Sequence, residues 1–269
     1  MIPRAILNEH KCIDANCILS GYRGSIAHGT YVPDHIDDKD VMAVCVPDVE
    51  WYFGLGSQAF PANGTKEIKK DEWDIVAYEA KKFIFLLAQG NPNVLSMLWL
   101  NPKHYIKMTE NGHHIVDNRH LFVGRHVYKS FTGYAYSQLH RMTAYTFDGY
   151  MGTKRKELVD KFGYDTKNAA NLIRLLRMGI EFLKDGELYV EREDASQLLD
   201  IKMGLWTLEQ VKTESSRPFD HAEDAYIHST LPKGPDIRGI SHLSVEIIRS
   251  VLNTRLFEGD LPDEISKLS

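Results

Sequence analysis

The residues with the clearest chemical potential lie in one short stretch between two apolar runs. Gly24 and Ser25 follow the apolar run 17–20, and the carboxylates Asp38 and Asp40 precede a second apolar run. Short apolar runs of this kind, bounded by glycine or proline, are typical of buried strands. The sequence therefore predicts a Gly-Ser turn after one strand and a pair of acids at the start of the next.

This arrangement favours a divalent metal ion bound beside phosphates. Residues two apart on a strand point to the same face, so we expect Asp38 and Asp40 to project together. Like charges that close repel each other unless a cation lies between them, and Mg²⁺ is commonly held by one or two carboxylates plus substrate phosphates. Glycine allows the backbone at Gly24-Ser25 to approach a ligand closely, and free N–H groups at a helix start favour anionic oxygens.

A longer pattern around this stretch resembles a known family. Residues 23–33 read R-G-S-x-A-x-G-T-x-x-P, and residues 38–47 read D-x-D-x-x-x-V-x-V-P. Further matches occur at 74–83, at 90–93, and in the pattern Y-D-x-K-x-A at 164–169. With these motifs the chain resembles the polymerase β-like nucleotidyltransferase superfamily, and within it the YcgL-like predicted nucleotidyltransferases of bacteria and bacteriophages.

The resemblance implies a nucleotidyltransferase that uses two Mg²⁺ ions, with Mn²⁺ as an alternative. It implies that Asp38, Asp40 and Asp74 are the catalytic residues and the metal ligands. Gly24 and Ser25 would bind the β- and γ-phosphates of a nucleoside triphosphate such as ATP. An acceptor hydroxyl activated near Asp74 would attack the α-phosphorus, and pyrophosphate would leave.

Asp74 also carries a signal that is independent of the resemblance. It lies between Trp73 and Ile75 in a predicted half-buried strand, where a lone carboxylate is unfavourable unless it has a partner. A salt-bridged or surface aspartate is the alternative interpretation. Glu72 and Glu79 are the other candidates for the third carboxylate.

Cationic residues are the remaining candidates for nucleotide binding. Lys167 and Arg174 are seven residues apart, nearly two helical turns, and therefore lie near one face of a predicted helix. Together with Arg23, beside the Gly-Ser turn, they are suited to contact phosphates. Pairing of Lys167 and Arg174 with acids across a helix interface explains them equally well. Asn168 and Asn171 stand where the family pattern has histidines, so no proton-transfer role is carried over to them.

The chain as a whole predicts an α+β fold in two parts. Residues 1–123 are expected to form the catalytic domain, a mixed β-sheet packed with helices, and residues 124–269 a helical domain. The active site would lie in the cleft between them. Within the first domain, residues 65–78 are predicted to form one strand. Within the second, residues 213–236 are predicted to be loops around a short helix at 222–227.

Composition excludes several classes of protein. Of 269 residues, 43% are hydrophobic and 26% charged, which is ordinary for a globular protein. No apolar run is long enough to cross a bilayer, and no secretory signal is recognisable, so we expect no membrane contact. The 3 cysteines lack C-x-x-C spacing, which favours a reducing cytoplasm. The family resemblance implies that this is the cytoplasm of a bacterial or phage-infected cell. The histidines match no zinc motif.

The acceptor of the transferred nucleotide is less directly indicated. The net charge of −5 argues against a general nucleic-acid coat protein but allows a local basic groove. Basic clusters at 154–156 and 167–177 favour RNA or tRNA as the acceptor. Two other functions fit the sequence: a catalytically silent nucleotide- or RNA-binding module, and a toxin–antitoxin nucleotidyltransferase that modifies a protein.

Overall fold

The N-terminal part of the chain is built on one mixed β-sheet. A computed structural model describes residues 2–32, 37–55, 60–143 and 153–257. The sheet has five strands in the order β3-β4-β2-β1-β5. The strands are β1 (Cys17–Tyr22), β2 (Lys39–Cys45), β3 (Thr65–Lys70), β4 (Trp73–Glu79) and β5 (Tyr105–Met108).

Helices pack against this sheet and make up most of the second part of the described chain. In the first part they are short: α1 (Arg4–Glu9), α2 (Gly24–Ala27), α3 (Val49–Phe53), α4 (Ala80–Ala88), α5 (Pro92–Leu95) and α6 (Glu110–Asp117). In the second part they are mostly longer: α7 (Val127–Thr143), α8 (Thr153–Phe162), α9 (Thr166–Asp185), α10 (Ala195–Lys202), α11 (Leu208–His228) and α12 (Ile237–Phe257). The predicted α+β fold, with a mixed sheet followed by helices, is confirmed.

Strand pairing brings two acidic positions side by side. β2 and β4 run parallel, in a register that places Asp40 opposite Asp74. β1 pairs antiparallel with β2 on the other side, and β3 pairs antiparallel with β4. Because β2 and β4 are parallel, both acids lie near the same ends of neighbouring strands.

The two faces of the sheet pack into different cores. Met42 and Val76 belong to a large core that continues through α9 and α11 to α12. Val41 and Ile75, one residue earlier on each strand, belong to a smaller core with α1. Since side chains alternate along a strand, residues 40 and 74 share the face of the large core, at the point where apolar packing ends.

The long helix α9 is fixed at both ends by local chemistry. The Asp165 side chain accepts a hydrogen bond of 2.9 Å from the Asn168 backbone N–H and so caps the start of the helix. The helix ends at Gly186, whose φ of 72° is the left-handed conformation that favours glycine. Helices α7, α10 and α11 pack against it. α9 is therefore the centre of the helical part.

Two predictions about element bounds were wrong. Residues 65–78 form two strands rather than one, because the chain reverses at Asp71, which has a φ of 53°. Residues predicted as loops in 213–236 largely belong to α11, which runs through Pro218. Packing of α11 on α9 outweighs the local cost of a proline inside a helix.

Two further expectations concern the boundary between the two domains and contact with a membrane. The boundary at residue 123 stays a prediction, and the large core includes side chains from both sides of it. Within the described ranges, no helix combines the length and the apolar character needed to cross a bilayer.

Candidate active site

The predicted carboxylates Asp40 and Asp74 lie side by side at the start of their strands. Both side chains are about one quarter exposed, at 24% and 26%. Burial raises the pKa of Asp40, the positive charges of Arg23 and Lys167 oppose this shift, and the negative charges of Asp74 and Asp38 add to it. Two partly buried acids in register are thus held close enough for the charge of Asp74 to act on Asp40.

Arg23 lies between these two acids. Its Nη2 atom is 3.6 Å from Asp40 Oδ1 and 3.7 Å from Asp74 Oδ1. The backbone N–H of Arg23 donates to the carbonyl oxygen of Asp40 at 3.0 Å, which fixes the turn against β2. Lys69, opposite Asp74 on β3, is a second cation, with Nζ 3.5 Å from Asp74 Oδ2.

Gly24 makes room for the Asp40 carboxylate. Its φ is 60°, and a Cβ atom added there would lie 2.5 Å from Asp40 Oδ2. Any other residue at this position would be strained and would also displace the acid. The Gly-Ser turn and the acid that the sequence predicted to act together are therefore in direct contact.

Asp38 occupies a different environment from the other two acids. It precedes β2, is exposed, and its carbonyl oxygen accepts a hydrogen bond of 3.1 Å from the Asp40 N–H. That bond closes a tight turn, so the two residues do not follow the regular alternation of a strand. The charge of Asp38 nevertheless acts on Asp40.

A cavity of about 140 Å³ opens beside Asp40, between the sheet and helices α9 and α10. Six of the eight predicted site residues line it, whereas Asp38 and Asp74 do not. Its lining consists of Arg23, Gly24, Ser25, His28, Thr30, Asp40, Asn93, Ser96, Lys167, Ala170, Asn171, Arg174, Leu198 and Lys202. The lining carries four lysines and arginines against one carboxylate, so the cavity is suited to an anion.

Arg174 is the most unusual of these cations. The residue is 7% exposed, and its guanidinium contacts Met178 Sδ at 3.2 Å and Asn171 Oδ1 at 3.5 Å. Among the described residues, no carboxylate lies within ion-pair distance of it, and its Nε has no hydrogen-bond acceptor. Burial, together with the charge of Arg192, lowers the pKa of Arg174 to about 10. A buried cation of this kind is unfavourable unless an anion binds beside it.

Ser25 presents a second polar group with nothing bound to it. Its Oγ atom is buried and makes no hydrogen bond within the part of the chain that the structure describes. Buried hydroxyl groups are nearly always hydrogen-bonded in native proteins. Ser25 Oγ and Arg174 line the same cavity, and both would be satisfied by phosphate oxygens.

Sequence reasoning missed the acid that holds the neighbouring lysines. Asp37 is buried and pairs with Lys202 of α10 and, at 3.3 Å, with Lys167 of α9. Burial raises the pKa of Asp37, but hydrogen bonds from Lys202 and the Val32 N–H outweigh burial and keep the pKa below its ordinary value. The available signal was a lysine, Lys202, beside apolar residues on a predicted helix. These ion pairs join the start of β2 to the helical part.

His28 was also missed as a cavity residue. Its Nδ1 donates to the Val190 carbonyl oxygen at 2.8 Å, since a carbonyl can only accept. Burial and the nearby charge of Arg174 lower the pKa of His28 well below its ordinary value. The ring is therefore neutral, and Nε2 is left as an acceptor. The motif that contains His28 gave no indication of this contact, because Val190 lies far along the chain.

The acids fit a hard divalent cation that also binds phosphates. Carboxylate oxygens are the ligands that Mg²⁺ and Mn²⁺ prefer, and Arg23 Nη2 shows that a positive charge is accommodated between Asp40 and Asp74. In the described ranges, no three His, Cys, Asp or Glu side chains are grouped closely enough to hold a metal by themselves. The remaining ligands would then come from Asp38 after a movement of its side chain, from substrate and from water.

The predicted RNA contact at 154–156 lies only partly within the described chain. Nothing is described for the side chains of Lys154 and Arg155. In the other basic cluster, Arg177 does not line the cavity, and it binds Asp194, Gln197 and Glu214 at 2.5–2.7 Å. Arg177 is thus held by acidic and polar side chains. Of the two residues for which pairing with acids was the alternative interpretation, Lys167 pairs with Asp37, whereas Arg174 has no carboxylate at ion-pair distance in the described ranges.

Comparison with protein families gives one assignment. No curated protein matches the chain in sequence. The model of the RlaP family, described as an RNA repair pathway DNA polymerase β family, matches residues 4–214 and so includes every predicted site residue. The match covers more than half of the chain and confirms the polymerase β-like resemblance. The chain therefore belongs to the RlaP family of polymerase β-like proteins.

Proposed function

We propose that the protein is a metal-dependent nucleotidyltransferase that moves a nucleoside monophosphate from a nucleoside triphosphate to a hydroxyl of RNA. Membership of a polymerase β-like family supports the reaction class, and the RNA repair pathway in the family's description supports the acceptor. The observation that carries the proposal is the direct contact between Asp40 and Gly24, beside a cavity lined by Arg174, which has no carboxylate at ion-pair distance among the described residues.

Phosphate binding is assigned to the cavity. Arg174 and Ser25 Oγ would each gain a partner from the β- and γ-phosphates, and Lys167 would add a further positive charge. Backbone N–H groups of Gly24 and Ser25, at the start of α2, have no acceptor within the helix. Together these groups would hold the pyrophosphate portion as it departs.

Metal binding is assigned to Asp40 and Asp74, with Asp38 as the third ligand. When bound, Mg²⁺ or Mn²⁺ would stabilise the negative charge that develops on the attacking and leaving oxygens. Asp38 lies outside β2, in a tight turn, and its backbone need not break a strand pairing to bring its carboxylate inward.

The transfer itself is an in-line displacement at the α-phosphorus. The oxygen of the RNA hydroxyl forms a bond to phosphorus, and the bond from phosphorus to the oxygen bridging to the β-phosphate breaks. Asp74, which lies outside the cavity that would hold the triphosphate, would accept the hydroxyl proton. The products are RNA extended by one nucleoside monophosphate and pyrophosphate.

The test is pyrophosphate release from each nucleoside triphosphate, with Mg²⁺ or EDTA, and with or without RNA. The proposal predicts release that requires both Mg²⁺ and an acceptor. Nucleotide binding without any release would indicate the catalytically silent binding module instead. Label incorporated into a protein but not into RNA would indicate a protein acceptor.

A further inference from the structure

Arg23 is held between the two acids by charge and not by close hydrogen bonds. Its Nη2 contacts, at 3.6 Å to Asp40 and 3.7 Å to Asp74, are longer than charge-assisted hydrogen bonds of roughly 2.7–2.9 Å. Its Nε is buried and has no acceptor within the described ranges. By contrast, Arg192 binds Glu181 and Asp194 at 2.5–2.9 Å. Arg23 is therefore the less firmly bound of the two guanidiniums.

The backbone at Arg23 is nevertheless fixed. Its N–H donates to the Asp40 carbonyl oxygen at 3.0 Å, and the following Gly24 packs against the Asp40 carboxylate. The side chain can thus change partners while its attachment point stays in place. Arg23 lines the same cavity as Arg174 and Ser25, so phosphates bound in that cavity would lie close to the Arg23 side chain.

We infer that Arg23 is the resident counter-cation of the metal site, and that it weakens the binding of divalent cations until a triphosphate draws it away. This inference rests on the proposed function. One guanidinium contacts both acids, so a divalent cation that binds Asp40 and Asp74 together must displace it. A triphosphate gives Arg23 another anionic partner, which makes binding of nucleotide and binding of metal mutually favourable.

The test uses Mn²⁺ alone as the probe, with free Mn²⁺ measured by electron paramagnetic resonance and no nucleotide present. Arg23→Met is expected to bind Mn²⁺ roughly tenfold more tightly than the unaltered protein, the change that loss of two partly buried ion pairs would give. Lys69→Met is the matched control, because Lys69 contacts Asp74 alone and its side chain is 70% exposed. Lys69→Met is expected to change the affinity for Mn²⁺ by about twofold or less.

A conservative variant separates this role from a general effect on folding. Arg23→Lys keeps the positive charge and is expected to bind Mn²⁺ within a few-fold of the unaltered protein. If Arg23→Met does not fold, Arg23→Gln takes its place as the uncharged variant. The inference then requires that Arg23→Lys, which keeps the charge, binds Mn²⁺ more weakly than Arg23→Gln. Equal or weaker Mn²⁺ binding by folded Arg23→Met would overturn the inference.

Asp40→Asn distinguishes failure of this inference from failure of the proposed function. If Asp40→Asn loses Mn²⁺ binding while Arg23→Met leaves it unchanged, the metal site stands and the role of Arg23 is wrong. If Asp40→Asn binds Mn²⁺ as tightly as the unaltered protein, the metal does not bind at these acids, and the proposed function fails together with the inference.

Discussion

The two sides of the candidate site differ in how their charges are balanced. On the sheet side, Asp40 and Asp74 already have cationic partners in Arg23 and Lys69. On the helix side, Arg174 is buried and has no anionic partner at ion-pair distance among the described residues. The acids are thus ready to exchange one cation for another, whereas Arg174 has no carboxylate within ion-pair distance in the described ranges.

This difference indicates where a ligand contributes most to stability. Replacing Arg23 by a metal exchanges one cation for another and changes the energy of the acids by a modest amount. Phosphate bound at Arg174 supplies a partner to a charge that burial has made costly. We therefore expect nucleotide to stabilise the fold mainly through the helix side, and metal to matter mainly for chemistry.

The largest expected effect is on the sheet side. Asp40→Asn is predicted to reduce nucleotide transfer by about a thousandfold, because loss of a metal-binding acid removes several kcal/mol of transition-state stabilisation. The melting temperature should change little, since burial already disfavours the charged form of Asp40. Incorporation of labelled nucleotide into RNA measures the first quantity, and thermal unfolding the second. Glu67→Gln, an exposed change on β3, is the control.

The next largest effect is a loss of stability on replacement of Asp37, the acid that pairs with lysines of α9 and α10. Asp37→Asn should lower the free energy of unfolding by about 3 kcal/mol, because Lys202 would be left buried without its carboxylate partner. Glu72→Gln removes the partner of Lys39 in a more exposed pair and should cost less than about 1 kcal/mol. Denaturant titration measures both. Equal losses in the two variants would contradict the account.

Replacement of Arg174 is expected to weaken nucleotide binding without lowering stability, in contrast to replacement of Asp37. Arg174→Met should weaken binding of a non-hydrolysable triphosphate by roughly tenfold to a hundredfold, the contribution of a charge-assisted hydrogen bond. It should not lower the free energy of unfolding, since the buried charge has no carboxylate at ion-pair distance in the described chain. Calorimetric titration and denaturant unfolding test the two statements.

Arg177→Met is the matched control on the same helix. Arg177 makes ion pairs with Asp194 and Glu214 and does not line the cavity. This variant should therefore lose stability while nucleotide affinity stays the same. The opposite result, with Arg177 affecting nucleotide binding and Arg174 affecting only stability, would reverse the assignment.

The smallest predicted effect is a pH dependence of stability. Burial lowers the pKa of His28 well below its ordinary value of about 6.5, so the unfolded chain binds this proton more tightly than the folded chain. The free energy of unfolding should therefore fall as the pH falls below about 6.5, by about 1 kcal/mol from this residue at pH 5.5. His28→Asn keeps a donor for Val190 and should remove that part of the decrease.

The local chemistry of the site could be predicted from sequence, but its long-range contacts could not. Gly24 and Asp40 were identified because a Gly-Ser turn and a strand-starting acid are both local patterns. Asp74 was identified through its apolar neighbours. The parallel register that sets it opposite Asp40 was not predicted, because the turn at Asp71 was missed and residues 65–78 were predicted as one strand.

Contacts between distant parts of the chain explain the other differences. The pairing of Asp37 with Lys202 depends on how α10 packs, and no local pattern reports it. Helical spacing placed Lys167 and Arg174 on one face correctly. It could not show that Lys167 pairs with an acid whereas Arg174 has no carboxylate at ion-pair distance in the described part of the chain. In α11, Pro218 was given more weight than the packing against α9 that keeps the helix intact.

The most direct test of the central claim compares ATP labelled at the α-phosphate with ATP labelled at the γ-phosphate, each incubated with the protein, Mg²⁺ and RNA. The account predicts that α-label enters RNA in a one-to-one ratio with released pyrophosphate, that γ-label leaves only in pyrophosphate, and that Asp40→Asn does neither. Transfer of γ-label to RNA, or α-label incorporation that persists in Asp40→Asn, would contradict it.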